Sequence, residues 1–254
     1  MFTLKNLSAG YIHTHIIKDL SLTFQDSSLI SLIGPNGSGK TTFLRVLAGL
    51  LRYSGSVCLN ASEIHSIPRK LLSRSVGFAM STGNFHPSSA FTVREVIAMS
   101  RLPYMSMFSR LSHYDNDIIS HSADMLGISG LLSRSILTLS DGQRQLVLIA
   151  SVIAQDTHTI LLDEPTSSLD PDKSAMVFSL LRKLADNGRC IIAAVHDINA
   201  SMPYSHGYLA LKDGVLISHG DKLSHEVLTT LYGTEFMSYH NKEGNDKLWR
   251  ALPK

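Results

Sequence analysis

The chain has 254 residues, 44% hydrophobic and 17% charged, with 23 lysines and arginines against 21 aspartates and glutamates. That material closes a large core, as one enlarged α/β domain or a domain with an inserted subdomain, and excludes a disordered chain. The net charge of +2 contains no basic block to mark a nucleic-acid footprint, no run nears the roughly 20 apolar residues that span a bilayer, and Met1-Phe2-Thr3-Leu4-Lys5 lacks a secretory pattern, so the expected location is the cytoplasm.

Phe2 and Leu4, then Leu20, Leu22 and Phe24, alternate with polar residues and predict half-exposed antiparallel strands. Leu29 to Ile33 predicts a short buried strand that runs into a glycine loop, and helical spacing follows from Thr41 to Ala48, ending near Gly49. Gly55 to Leu59 and Val76 to Ala79 read as further strands on either side of a polar stretch. The character then changes. Thr92-Val93-Arg94-Glu95 fits a capping box ahead of Val93, Val96 and Ile97, and Ile118 to Leu126 predicts a helix closed by Gly127, so residues of about 88 to 150 read as a mostly helical insert.

Buried strands return at Thr159 to Asp163 and Cys190 to Val195, with a helix from Pro171 to Ala185 between them that Asn187-Gly188 stops. Strand alternating with helix implies a parallel sheet covered on both faces. Lys212-Asp213-Gly214-Val215 predicts a hairpin turn, followed by a short helix and, over 236–254, a polar tail. Cys58 and Cys190 have no metal-ligand spacing and read as reduced thiols on strands; His13, His15, His113 and His219 also lack such spacing and read as surface residues.

Gly34-Pro35-Asn36-Gly37-Ser38-Gly39-Lys40-Thr41 matches GxxxxGK[ST] in full, between an apolar strand and a helix, and Thr42 follows it. Glycines let such a loop curl until its amides converge on phosphate oxygens, and the helix N-terminus adds favourable partial charge. Lys40 would neutralise the β and γ phosphates of a nucleotide, and the Thr41 hydroxyl would ligate Mg²⁺. Asp163 and Glu164 end an apolar strand, which carries both carboxylates to the C-terminal edge of the sheet beside that loop. Asp163 suits Mg²⁺ and Glu164 suits a general base or water-orienting group. Leu139-Ser140-Asp141-Gly142-Gln143 taken alone is a plain Ser-x-x-Gln capping box; a helix end with a hydroxyl and a glycine also suits a γ-phosphate.

In this order the residues resemble the ABC ATPases, the nucleotide-binding subunits of ABC transporters: Walker A (Gly34 to Thr41), the signature sequence (Leu139 to Gln143), Walker B (Ile160 to Glu164), a D-loop (Ser168-Leu169-Asp170) and a switch histidine (His196). The likeness runs from about Thr3 to about Thr234. It implies an α/β P-loop NTPase with a RecA-like core and an antiparallel β subdomain (about 1–87 and 151–235) and a helical subdomain (about 88–150). It implies a homodimer packed head to tail, each ATP lying between the Walker A of one copy and the Ser140, Gly142 and Gln143 region of the other, with Asp170 at the dimer contact. Tyr11 resembles the aromatic that stacks on adenine, and His196 the residue that contacts the γ-phosphate and holds the attacking water; Asp170 before Pro171 also reads as a helix cap. Lys40, Glu164 and His196 are the catalytic set that the likeness implies, with ATP and Mg²⁺ as cofactors.

Thr92 to Ser112 is similar to the ATPases of importers for iron-siderophores, haem and cobalamin, whose TVRE, GRxPY and GRLS strings are met here with Ser100 and Ser109 in place of glycines. The chain is expected to be peripheral at the cytoplasmic face of the cell membrane, with integral-membrane permease subunits and, indirectly, a substrate-binding protein as partners; no nucleic acid is expected. Another importer or exporter ATPase is the alternative within the family, and a soluble ABC ATPase of DNA repair or translation the alternative outside transport. Two departures stand out. The family carries a glutamine after the strand that is Val76 to Ala79 here, whereas this chain has none between Gln25 and Gln143 and places Ser81 or Thr82 near that position. Asp141 stands where glycine is common, and it is expected to face away from the phosphates, which it would repel.

Overall fold

A computed structural model describes residues 1–12, 14–24, 26–80, 91–106, 110–240 and 247–252. Strands β1 (Phe2–Tyr11), β2 (Thr14–Thr23), β4 (Tyr53–Leu59) and β5 (Ser62–Glu63) form an antiparallel sheet in the order β2-β1-β4-β5. Its apolar residues Phe2, Leu4, Leu7, Ile17 and Leu20 point to one face and pack on Phe43, Leu44 and Leu47 of α1 (Lys40–Leu47), so the small sheet roofs the helix that follows the glycine loop.

The main sheet has the order β10-β9-β3-β8-β7-β6, with β3 (Ser28–Ile33), β6 (Val76–Ala79), β7 (Thr159–Asp163), β8 (Cys190–Ala194) and β9 (Gly207–Lys212) parallel and β10 (Val215–Gly220) antiparallel at the edge. Every residue of β7 and β8 is buried, as the continuous apolar runs require of strands covered on both faces. Register fixes the site. Leu32 pairs with Ala194 and Ala194 with Asp163, while Val195 donates to the Leu32 carbonyl at 3.0 Å and Glu164 to the Ala194 carbonyl at 3.0 Å. The glycine loop, Glu164 and His196 therefore leave three neighbouring strands at one level of one edge.

Helices α3 (Val93–Met99), α4 (His113–Met125) and α5 (Asp141–Ala154) pack on one another, and Val93, Ile97, Ile119, Ala123, Val147 and Ala150 share one core. The Thr92 box is present, its side chain accepting from the Glu95 amide. Helix α4 starts five residues before the Ile118 expected, because Ser112 and Asp115 form a second reciprocal box around a polar first turn. The serine that replaces glycine at position 100 sits at φ −65°, where a side chain costs nothing, and its hydroxyl donates to the Ile97 carbonyl at 2.7 Å. Arg101 beside it is 2% exposed, pairs with Asp115 at 2.8 Å, donates to the Ala154 carbonyl at 2.9 Å and lies 4.1 Å over the Tyr104 ring. One guanidinium thus ties together the ends of all three helices. Ser81, Thr82, Ser109 and His13 lie outside the described residues.

Three further features depart from expectation. The polar stretch after β5 contains a helix, α2 (Arg69–Ser75). Helix α6 (Pro171–Asp186), capped by Asp170, reaches one residue further than expected. After α7 (Ile198–Ser201) and α8 (His225–Tyr232), the region expected to be a polar tail holds two antiparallel strands, β11 (Phe236–His240) and β12 (Lys247–Ala251), with Trp249 only 7% exposed. Burial of one large ring supplies the apolar area that the composition of 236–254 conceals. Asp213 and Gly214, at φ +51° and +81°, make the expected hairpin turn between β9 and β10. Cys58 and Cys190 are free thiols on strands, and burial pushes the Cys190 thiol up to about 11. Among the described residues no helix is long and apolar enough to cross a membrane, and no cluster of three metal-binding side chains occurs.

Candidate functional site

The loop after β3 turns on Gly34, at φ +156°, where a Cβ would meet the Leu211 carbonyl oxygen at 2.2 Å and Ser38 Oγ at 2.7 Å. Only a residue without a side chain lets the loop pass between β9 and its own return. A cavity of about 490 Å³ opens over it, lined by Asn36, Gly37, Ser38, Gly39, Lys40, Thr41 and Thr42 from the loop and by Glu164, His196 and Ile16. Lys40 is 7% exposed, and its Nζ donates to the carbonyls of Gly34 at 2.7 Å and Pro35 at 3.2 Å. Burial lowers its pKa from the usual lysine range, while the Glu164 and Asp163 charges act in the opposite direction.

Asp163 reaches the site through Thr41. It is 4% exposed, its Oδ2 accepts from the Thr41 hydroxyl at 2.9 Å, and its Oδ1 is buried without a hydrogen-bond partner. Burial pushes this carboxyl above the usual carboxylate range; the Thr41 hydrogen bond opposes that and the Glu164 charge adds to it. An unsatisfied carboxylate oxygen beside a hydroxyl is a hard-oxygen pair that suits Mg²⁺.

The raised pKa fixes a sign. A carboxyl that holds its proton more tightly when folded costs stability once it ionises, so the cost is absent below the unfolded pKa and fully present above the folded one. Asp163→Asn is therefore expected to raise the nucleotide-free melting temperature at pH 7 by about 2–4 °C, with no gain at acid pH, and to abolish the further rise that MgATP gives the wild type. A lower melting point at pH 7, with the MgATP shift intact, would contradict this.

Glu164 has φ +53°, a left-handed turn that costs a non-glycine residue about 1–2 kcal/mol. The turn leaves its carboxylate lining the cavity, with Oε1 2.6 Å from His196 Nε2. The structure thus brings Lys40, Thr41, Asp163, Glu164 and His196 together from three strand ends.

The remaining expected residues lie elsewhere. Tyr11 does not line this cavity; it ends β1 with 44% of its surface exposed, and its hydroxyl accepts from Arg45 of α1 at 2.6 Å. Ser140, Gly142, Gln143 and Asp170 are also absent from it. Ser140 and Gln143 form the reciprocal box at the start of α5, and a Cβ on Gly142 would meet the Ser168 carbonyl oxygen at 2.9 Å, so this helix end is pressed against the loop of Ser168 to Asp170. Asp170 accepts from the Lys173 amide at 2.9 Å, and that bond, joined by the Lys173 side chain, lowers its pKa. Asp141 points outward: its side chain is 73% exposed and pairs with Arg144 at 3.0 Å. Asp141→Gly should then change ATPase activity less than about twofold, since an exposed pair of this kind is worth little; a tenfold gain would place the carboxylate against the phosphates. Ile16 and Arg45 were not expected near the site, for an aliphatic residue on a strand and a basic residue on a helix carry no motif.

The ABC transporter family profile matches residues 17–167. The chain is 36% identical over 227 residues to the iron(3+)-hydroxamate import ATP-binding protein FhuC of Bacillus subtilis, covering 89% of this chain and 83% of that protein. It is 32% identical over 238 residues to the ferric enterobactin transport ATP-binding protein FepC of Escherichia coli, covering 92% and 87%. Among solved structures, an inward-facing metal-chelate type ABC transporter superposes with a TM-score of 0.84 at 27% identity, over 100% of this chain and 98% of the other. The ATP-binding cassette MJ0796, a dimer in a post-hydrolysis state with ADP and Pi, gives 0.77 at 25% identity, over 88% and 100%.

Proposed function

The chain belongs to the ABC transporter family of ATPases, and on that premise we propose that it is the ATP-hydrolysing subunit of an importer for metal chelates such as iron-siderophores, or for cobalamin. The observation that carries the chemistry is the convergence of Lys40, Thr41, Glu164 and His196 on one cavity, with Asp163 hydrogen-bonded to Thr41 and Glu164 paired with His196. The cargo class rests on the relatives, which are named for hydroxamate and enterobactin transport, and on the Arg101–Tyr104–Asp115 cluster that gives the GRxPY-like string a physical role.

In this reading the amides of Gly37 to Thr41 and the Lys40 ammonium bind the phosphates, with Asn36 and Thr42 beside them. Thr41 and Asp163 would hold Mg²⁺, which when bound neutralises charge on the β and γ phosphates. Glu164 takes the proton of the attacking water, and His196, bonded to Glu164, orients water and γ-phosphate together. Two copies close head to tail over the nucleotides, bringing Ser140, Gly142 and Gln143 of each to the γ-phosphate of the other, with Asp170 at the seam and Tyr11 offered to adenine. Hydrolysis reopens the pair, and a membrane-spanning permease, with this subunit docked at the cytoplasmic face, alternates its access accordingly, fed by a substrate-binding protein.

Recovery from detergent-solubilised membranes tests this. The chain should co-purify with a polytopic permease, and its ATPase in proteoliposomes should rise when a ferric hydroxamate and its binding protein are supplied. Recovery with ribosomes or DNA in place of a permease would overturn it.

A further inference from the structure

The C-terminal hairpin is bolted to the segment that carries His196. The Asn199 side-chain amide donates through Nδ2 to the Trp249 carbonyl at 2.9 Å, and its Oδ1 accepts from the Trp249 amide at 2.8 Å. Asn199 therefore acts as a one-residue extension of the β11–β12 sheet, satisfying both backbone groups of a strand residue at once. The Trp249 ring shares a core with Val195 and Ile198, the residues on either side of His196 and Asp197. At the base of the hairpin, Leu252 donates to the Glu235 carbonyl at 2.8 Å.

The neighbourhood gives the clamp a target. Residues 195–201 are held at their start by the Val195 bond to β3 and internally by Asp197, which accepts from the Ala200 amide at 3.0 Å. His196 is also bonded to Glu164, and the Asn199–Trp249 pair adds the tie between this segment and β12. Leu248, the residue before Trp249, lines the same cavity of about 1020 Å³ as Glu164, His196 and Asp197. Leu248 of the hairpin and the Glu164–His196 pair thus line one space.

We propose that Asn199 is a positioning residue: by clamping the backbone of Trp249 it couples the C-terminal hairpin to the His196 segment and so sets the rate of hydrolysis without contributing to nucleotide binding. This rests on the role proposed above for His196. Neither Asn199 nor Trp249 lines the cavity over the loop of Gly34 to Thr42, so loss of the clamp should appear in kcat and not in KM.

The test is a double-mutant cycle on the full-length protein, with Trp249, the sole tryptophan of the chain, as a built-in reporter. Asn199→Ala should lower kcat about tenfold, leave KM for MgATP within about twofold, and shift the Trp249 emission to the red as the ring gains water. In a His196→Ala background, measured by single turnover, the same change should cost nothing further, because the two residues act through one element. Should Asn199→Ala fold poorly, Asn199→Asp keeps the acceptor for the Trp249 amide, loses the donor, and should show the same pattern to a smaller degree. Equal losses in both backgrounds, or an unchanged kcat whether or not the emission moves, would overturn the coupling while leaving His196 in place. A His196→Ala protein that turns over at the wild-type rate would remove the role of His196, and the clamp with it.

Discussion

Glu164→Gln should bind MgATP as tightly as the wild type or more tightly, and turn it over about a thousandfold more slowly. The substitution keeps the size of the side chain and an oxygen or nitrogen within reach of His196 Nε2, now 2.6 Å from Oε1. It also keeps the backbone anchor, the Glu164 amide on the Ala194 carbonyl. What disappears is the negative charge proposed to accept the proton of the attacking water. Because that charge faces incoming phosphates across the same cavity, its removal also lifts a repulsion, so affinity does not fall. The trapped state should be a stable MgATP-bound dimer, visible by size-exclusion chromatography. Wild-type turnover in this variant would remove Glu164 from the chemistry and leave its left-handed backbone at φ +53° without a functional reason.

Lys40→Ala should raise the dissociation constant for ATP about a hundredfold, the loss expected when a charged donor is withdrawn from buried phosphate oxygens. The ammonium is held by the Gly34 and Pro35 carbonyls, bonds that the proposed phosphate contacts would replace. The pH dependence has a definite sign. Burial lowers the Lys40 pKa in the free protein, whereas bound phosphates raise it, so binding takes up a proton in the interval between the two values. ATP affinity should accordingly weaken as pH rises through that interval, beginning below the usual lysine range, and Lys40→Ala should abolish this slope. Titration calorimetry over a pH series reads both effects. A pH-independent affinity in the wild type would show that the ammonium is not desolvated.

Much of this site was legible in the sequence because its parts are local. A strand, a glycine loop and a helix in immediate succession leave the loop one place to go, and β7 matches the expected Thr159 to Asp163 residue for residue. What stayed hidden depends on partners distant along the chain. The first turn of α4 is polar and lacks the apolar spacing that marks a helix, and its box uses Asp115 where Glu or Gln gives the familiar signal. Helix α2, at Arg69–Ser75, has Leu72 as its one buried residue, too little for a period to show. The tail from 236 reads as polar because its burial is concentrated in Trp249, and nothing near Asn199 announces a partner 50 residues away. The bond that ties the Tyr11 hydroxyl to Arg45 of α1 was equally hidden, since neither residue type announces the other.

If each working site is built from two protomers, mixing two crippled proteins should restore hydrolysis that neither shows alone. Lys40→Ala disables one half of a composite site. Ser140→Arg disables the other, and α5 keeps its place through the buried Leu146, Val147 and Ile149 even without its cap. Each protein alone should hydrolyse almost nothing. A random mixture should recover toward about a quarter of the wild-type rate, because every mixed head-to-tail dimer keeps one intact pairing of Lys40 with Ser140. Hydrolysis that stays at the level of the separate variants, in a mixture shown to contain mixed dimers, would mean that each site is complete within one chain, and the account would fail.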